Sequence, residues 1–347
     1  MRMLLRLIGL FVLLAVLLVG LAFALPDRAH VERSITIARP QAQVWLLLSN
    51  LRRFNEWSPW HARDPAARYT YSGPEAAVGS KLAWDSERSD VGSGSQTIVA
   101  LKPYESVALE LDFGNLGKSQ VRYELRTESN ETRVTWRMDS ELPLHLDQRF
   151  GWNVLGRYIG LFMDRLTGPD FERGLLNLRA LADTFPNVDI ADIAPQQLDM
   201  PARKLIYVEV DSTGDDAALK RAWDAGLLQL HRFVVQHGLK AGSAPLALTQ
   251  QRDVGRWRFE LALPAEYDLM PEDTAVRGRV LPAGSVVQIS HSGSLMERQR
   301  EIDKLQAWIA VKGLRAGTPL IEEFADEAAV LQGQVRIALP LQPVAQN

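Results

Sequence analysis

Three spacings of apolar residues divide the chain. Residues 7–25 read LIGLFVLLAVLLVGLAFAL without a single charge; as a helix rising ~1.5 Å per residue they span roughly 28 Å, the thickness of a bilayer's hydrocarbon core. Beyond residue 30 the period drops to two. A strand over Ser34–Ile37 leads into a short helix over 41–48, and alternating runs follow: Leu82 and Trp84; Val107, Leu109, Leu111 and Phe113; Val121, Tyr123 and Leu125; Val134, Trp136 and Met138. Alternation of this kind gives strands with one apolar face each. From Tyr158 to Asp183 the spacing becomes three and four. Ile159, Phe162, Met163 and Leu166 form a stripe that meets Gly168-Pro169 and resumes as Phe171, Leu175, Leu178 and Leu181, the pattern of an amphipathic helix. One curved antiparallel sheet gripping one long helix is the economical packing of these parts. The stretch 186–201 has no period and is marked by prolines, as a linker should be.

The remainder, 202–343, contains one unit twice. FVVQHGLKAGSAPLALT and WRFELALPA in the first copy correspond to WIAVKGLRAGTPLIEEF and GQVRIALPL some 75 residues later, so that Gly238 matches Gly313, Pro245 matches Pro319 and Pro264 matches Pro340. Each copy opens on an alternating run, LIYVEV at 205–210 or SVVQIS at 285–290. A helix follows, with Leu219, Trp223, Leu227, Leu230 and Val234 as its stripe in one copy and Ile302, Leu305 and Ile309 in the other. A glycine ends each helix, where a left-handed residue is cheapest without a Cβ. Strand, helix, strand, strand, twice over, predicts an α+β domain with pseudo-twofold symmetry and a groove along the axis.

Composition removes several kinds of chemistry. The net charge of −3 carries no long basic run, which argues against nucleic acid as a partner. The chain has no cysteine, and its six histidines show no metal-ligand spacing, so no disulfide, thiol nucleophile or metal site is expected. No phosphate loop, dinucleotide fingerprint or nucleophile elbow occurs, and no cofactor is expected. Arg2 and Arg6 precede the apolar segment while Asp27, Arg28, Glu32 and Arg33 follow it. That asymmetry predicts a single-pass anchor in a bacterial inner membrane, with the rest of the chain in the periplasm. Ala22-Phe23-Ala24 also fits a cleaved signal, but the apolar run is longer than signals usually have. The expected domains are therefore 1–29 (stub and anchor), 30–185, a linker over 186–201, and 202–343.

Within the repeated unit the copies differ at one telling place. The second has Ile321-Glu322-Glu323-Phe324 where the first has Leu246-Ala247-Leu248. Side chains two apart share a face, so Glu322 and Phe324 point together into the predicted groove and Glu323 points away. An acid beside an aromatic suits a cationic ligand through an ion pair and a cation-π contact. Trp308, Tyr207 and Trp257, on elements of the same repeats, complete this set of candidate contacts. His291-Ser-Gly, Trp308, Pro319-Leu-Ile-Glu-Glu-Phe324 and Arg336-Ile-Ala-Leu-Pro340 resemble the gyrase-inhibitor-like effector-binding domain over about 200–343. The resemblance places the family's Glu-x-Tyr pocket pair on Glu322 and Phe324, with the hydroxyl missing. It also implies, as an alternative, a hydrolase using Glu322 as general base.

The earlier segments HVERSITIARPQAQVWLLLSNLRRFNEWSPW (30–60) and MDRLTGPDFERGLLNLRALAD (163–183) resemble the START-like, polyketide-cyclase-like (SRPBCC) helix-grip superfamily. That resemblance implies a cavity between sheet and helix for an apolar ligand, with cyclase or lipid-transfer activity as possibilities. Trp57, Trp60, Trp84 and Trp136 are the candidates for its lining. No catalytic constellation accompanies them. The reading that follows is a membrane-anchored small-molecule-binding protein, holding an apolar ligand in the first domain and an amphipathic or cationic one in the second.

Overall fold

In the computed structural model the uncharged amino-terminal segment is one helix, α1 (Arg2–Ala22), with its apolar side chains pointing outward from Met3 to Leu21. The structure describes residues 2–114, 117–142, 145–147, 151–152, 154–213, 216–253, 256–271, 275–326 and 333–342. Two units divide the chain, Met1–Asp189 and Ile190–Asn347.

In the first unit β1 (Arg28–Ile37) leads through α2 (Gln41–Ser49), a 3-10 turn at Leu51–Glu56 and α3 (Pro59–Arg63) into a meander. Its strands are β2 (Arg68–Ser72), β3 (Lys81–Asp85), β4 (Ser93–Lys102), β5 (Ser106–Asp112), β6 (Lys118–Glu128) and β7 (Glu131–Glu141), all antiparallel in the order β1-β7-β6-β5-β4-β3-β2. Register puts Tyr123 opposite Trp136 and Val121 opposite Met138, so alternate residues of neighbouring strands build a single inner face. The short pair β8 (His145–Asp147) and β9 (Gly151–Trp152) precedes α4 (Val154–Gly160) and α5 (Met163–Ala182). Helix α5 lies on the inner face, where Phe171, Leu175 and Leu178 are buried. Gly174 permits the approach, since a Cβ there would lie 2.8 Å from the Trp136 ring.

Two expectations change here. The helix predicted over 158–183 is broken at Leu161–Phe162, so α4 and α5 meet at a corner, while Pro169 is accommodated inside α5. The first part of the stripe, Ile159, Phe162 and Leu166, is exposed rather than packed on the sheet. Leu166 is on α5 itself, five residues before Phe171 and so on another side of that helix, and only the part from Phe171 onward grips the inner face.

The second unit contains β10 (Gln196–Met200), β11 (Arg203–Thr213), α6 (Asp216–His237), β12 (Lys240–Ala241), β13 (Leu246–Asp253), β14 (Arg256–Glu266), β15 (Arg277–Leu281), β16 (Gly284–Ser292), α7 (Leu295–Val311), β17 (Leu320–Glu323) and β18 (Gln334–Pro340). Its sheet runs β10-β16-β18-β17-β13-β14-β11-β15, with β12 beside β14. From the central β17-β13 pair outward the order is the same on both sides: third strand, then first. Ala247 stands opposite Glu322 across that axis. Gly238 and Gly313 take the left-handed conformation just beyond α6 and α7, at φ +62° and +76°. Ser294 and Glu297 close a reciprocal capping box at the start of α7. Both helices lie against one face, over a core that includes Trp223, Phe259, Leu305 and Phe324. The opposite face carries Leu205, Leu246, Leu248 and Ile321. The linker expected over 186–201 is shorter than predicted. Residues 196–200 are strand β10, hydrogen-bonded along β16 with Leu198 and Met200 turned toward the apolar face.

Candidate functional site

The first unit encloses a cavity of about 400 Å3 between the sheet's inner face and α5, within the size range of small-molecule sites. Its walls follow from strand alternation. Leu82 and Trp84 of β3, Leu111 of β5, Val121 and Tyr123 of β6, and Trp136 and Met138 of β7 all point inward and line it, and Trp60 and Phe171 close it from the helical side. Trp136 is the centre of an aromatic group: it stacks on Phe171 at 4.0 Å between ring centres and meets Trp60 edge-on at 6.0 Å. Three of the four expected tryptophans therefore line the cavity. Trp57 does not; it lies behind the wall, buried edge-on against Phe54 and Tyr123, and accepts through its carbonyl from Asn177.

Polar groups are few and specific. Gln96 and Trp136 are buried in the wall, and the Gln96 Nε2 and Trp136 Nε1 donors have no partner among the described residues. A buried unpaired N–H costs about 1–3 kcal/mol, and both nitrogens are closed off within the wall rather than open to the cavity. Ser119 and Ser140 satisfy one another at 2.7 Å. Burial pushes the Tyr123 hydroxyl well above its ordinary pKa, so it stays protonated. Asp170, at the rim, is ion-paired with Arg63. Sequence reading passed over Gln96, Ser119 and Ser140, yet their signal is visible in retrospect: each is a polar residue at an inward position of an otherwise apolar alternation.

In the second unit the expected site residues separate. Glu322, Phe324, Trp257 and Trp308 lie on the helix-covered side, whereas Tyr207 packs on the opposite face. Phe324 is buried edge-on against Trp223 at 5.1 Å. Glu322 is 0% exposed. Its Oε1 accepts from Arg252 at 3.3 Å and Arg298 at 3.4 Å, and its Oε2 accepts from Arg252 at 3.2 Å and Thr249 at 3.2 Å. Trp257 donates to the same Thr249 hydroxyl at 3.0 Å, and the Arg252 guanidinium lies 4.4 Å from the Trp257 ring centre. Three donors therefore hold the carboxylate, with Arg252 Nη1 shared between its two oxygens. The expected cationic ligand is therefore corrected: two guanidiniums already compensate the charge and repel a third cation. Burial lowers the pKa of Arg298, although Glu322 opposes the shift.

Glu323, expected to face away, lines a cleft of about 250 Å3 on the opposite face, together with Leu198, Met200, Arg203 and Arg336. Arg203 donates to it at 2.8 Å. Among the described residues no three His, Asp or Glu side chains come together as a metal site.

Residues 28–183, under half of the chain, match the family described as polyketide cyclase / dehydrase and lipid transport. The first unit contains an SRPBCC-like domain. Solved structures that this chain is similar to include the Zhui aromatase/cyclase from Streptomyces sp. R1128, at 14% identity and TM-score 0.35 over 45% of this chain and 94% of that one. The di-domain aromatase/cyclase StfQ of the steffimycin biosynthetic pathway is another, at 13% identity and TM-score 0.35 over 45% and 51%. The EcmrR C-terminal domain is a third, at 14% identity and TM-score 0.34 over 44% and 99%. No curated protein matches the chain in sequence.

Proposed function

We propose that this protein is a membrane-anchored carrier that binds an apolar small molecule. The observation that carries the reading is the cavity of about 400 Å3, walled by Trp60, Trp84, Trp136, Leu82 and Val121. Apolar walls supply the bulk of the affinity and the few polar groups fix orientation. Binding is favoured over catalysis because the walls are mostly apolar and the Asp170 carboxylate in the lining is held in an ion pair by Arg63. Helix α1 supplies the anchor: its 21 residues exceed the length needed to cross the hydrocarbon core. With Arg2 and Arg6 on the cytoplasmic side, the chain from about residue 30 onward lies in the periplasm. The second unit, read as a gyrase-inhibitor-like domain whose ancestral acid is neutralised by Arg252 and Arg298, acts as an accessory module.

The test is a titration of the purified full chain with a fluorescent fatty acyl probe. Saturable one-to-one binding is expected, weakened at least tenfold in Ser119→Phe, which places a ring in the cavity, and retained in the outward-facing control Arg122→Ala. Binding unchanged in Ser119→Phe, with both variants folded by circular dichroism, would remove the cavity as the site.

A further inference from the structure

We infer that the corner between α4 and α5 docks into the lipid bilayer beside α1 and forms the wall through which the cavity exchanges its ligand with the membrane. The inference rests on the reading of α1 as an anchor and goes beyond it, because it concerns a separate surface.

The corner is apolar and exposed. Leu155, Ile159, Leu161, Phe162 and Leu166 are between 51% and 75% exposed, on two short consecutive stretches of chain. Single exposed apolar residues are ordinary on a protein surface, whereas five together mark an interaction surface. Its location says what covers it. Tyr158 donates its hydroxyl to the Leu18 carbonyl at 2.8 Å, and the buried Arg157 donates through Nη1 to the Leu25 carbonyl at 2.7 Å. Helix α4 is thereby tied to the last turn of α1 and to the residues just after it. If α1 spans the bilayer, that level is the boundary between hydrocarbon and headgroups, where a tyrosine has one end in each phase. Neighbouring apolar side chains at that level enter the outer ~5–10 Å of the bilayer, as on an interfacial helix. A water-soluble partner is disfavoured because the bilayer already occupies this height.

The same corner is a wall of the cavity. Gly160 at the end of α4 packs so closely on Leu142 that an added Cβ would lie 2.1 Å from its Cδ1, and Leu142 lines the cavity. Met163 and Thr167, from the first turns of α5, line it as well. One face of this corner therefore looks into the cavity and the other is apolar and outward. An apolar ligand leaving the bilayer here need not cross water.

The absence of cysteine from the chain makes the experiment direct. Single variants Leu155→Cys, Phe162→Cys and Leu166→Cys, with Val99→Cys on the sheet as control, are labelled with a nitrobenzoxadiazole dye. Each full chain is then reconstituted into phosphatidylcholine vesicles with and without shallow spin-labelled lipid. Emission at 155, 162 and 166 should shift to the blue and be quenched several-fold by the spin label, while position 99 stays in water. A second readout tests exchange: Phe162→Ser combined with Leu166→Ser should slow transfer of a fluorescent fatty acid from vesicle to cavity several-fold without changing its equilibrium occupancy. Four water-like labels on a chain that floats with the vesicles would overturn the docking and leave the anchor intact. Blue-shifted labels that no lipid spin label quenches would mean that protein, such as a second copy, covers the corner, and also overturn it. A chain that does not float overturns anchor and docking together. Docked labels on a chain whose cavity takes no probe would overturn the carrier reading and the exchange, while the docking stands.

Discussion

At the scale of single residues, Glu322 is where reading the alternation succeeded and reading the environment failed. Alternation correctly separates Glu322 from Glu323 by face. It does not say which face holds the cations, because Arg252 and Arg298 lie 70 and 24 residues away in sequence and arrive only when β13 and α7 pack around β17. The consequence is a role in stability. Glu322→Gln leaves two guanidiniums facing each other with little compensation, and should destabilise the second unit by about 3–5 kcal/mol. Glu323→Gln removes a partner from the partly exposed Arg203, and should cost under about 1 kcal/mol. Native-state hydrogen exchange of the β13 and β17 amides reads both in the full chain. Equal effects, or none at Glu322, would mean that the acid is not part of a buried ion cluster.

At the scale of elements, strong signals survived and weak ones did not. The alternating runs of β5, β6 and β7 and the glycine-terminated helices α6 and α7 were legible because each buries a whole face. Strand β10 was not, since an edge strand of five residues buries only Leu198 and Met200 and its prolines on either side resemble linker punctuation. Its pairing with β16 predicts that a fragment of residues 190–347 folds as a monomer, whereas 201–347 leaves the β16 edge unpaired. That shorter fragment should melt at lower temperature and associate as concentration rises, as exposed edges do. Light scattering with thermal unfolding decides the matter; identical behaviour of the two fragments would make β10 dispensable.

At the scale of the whole molecule, the outward apolar side chains of α1 and the exposed corner at 155–166 point to the same environment. Extraction of cell membranes with alkaline carbonate should leave the full-length chain in the pellet with its first residues intact; a soluble product beginning near Leu25 would show instead that the segment is a cleaved signal. The apolar helix, the alternating strands, the repeat and its pseudo-twofold order were determined by sequence alone, because each is a local or periodic property that repeats often enough to stand out from chance. What tertiary structure decided is where faces end up. The stripe at 159–166 has the spacing of a core helix, yet Ile159, Phe162 and Leu166 are exposed and the chain is buried on the sheet only from Phe171 onward. Trp57 and Trp136 are both buried tryptophans, and only the packing of α5 makes one a cavity wall and the other its backing. Periodicity states that a face is apolar; only the packed chain states whether protein, ligand or membrane covers it.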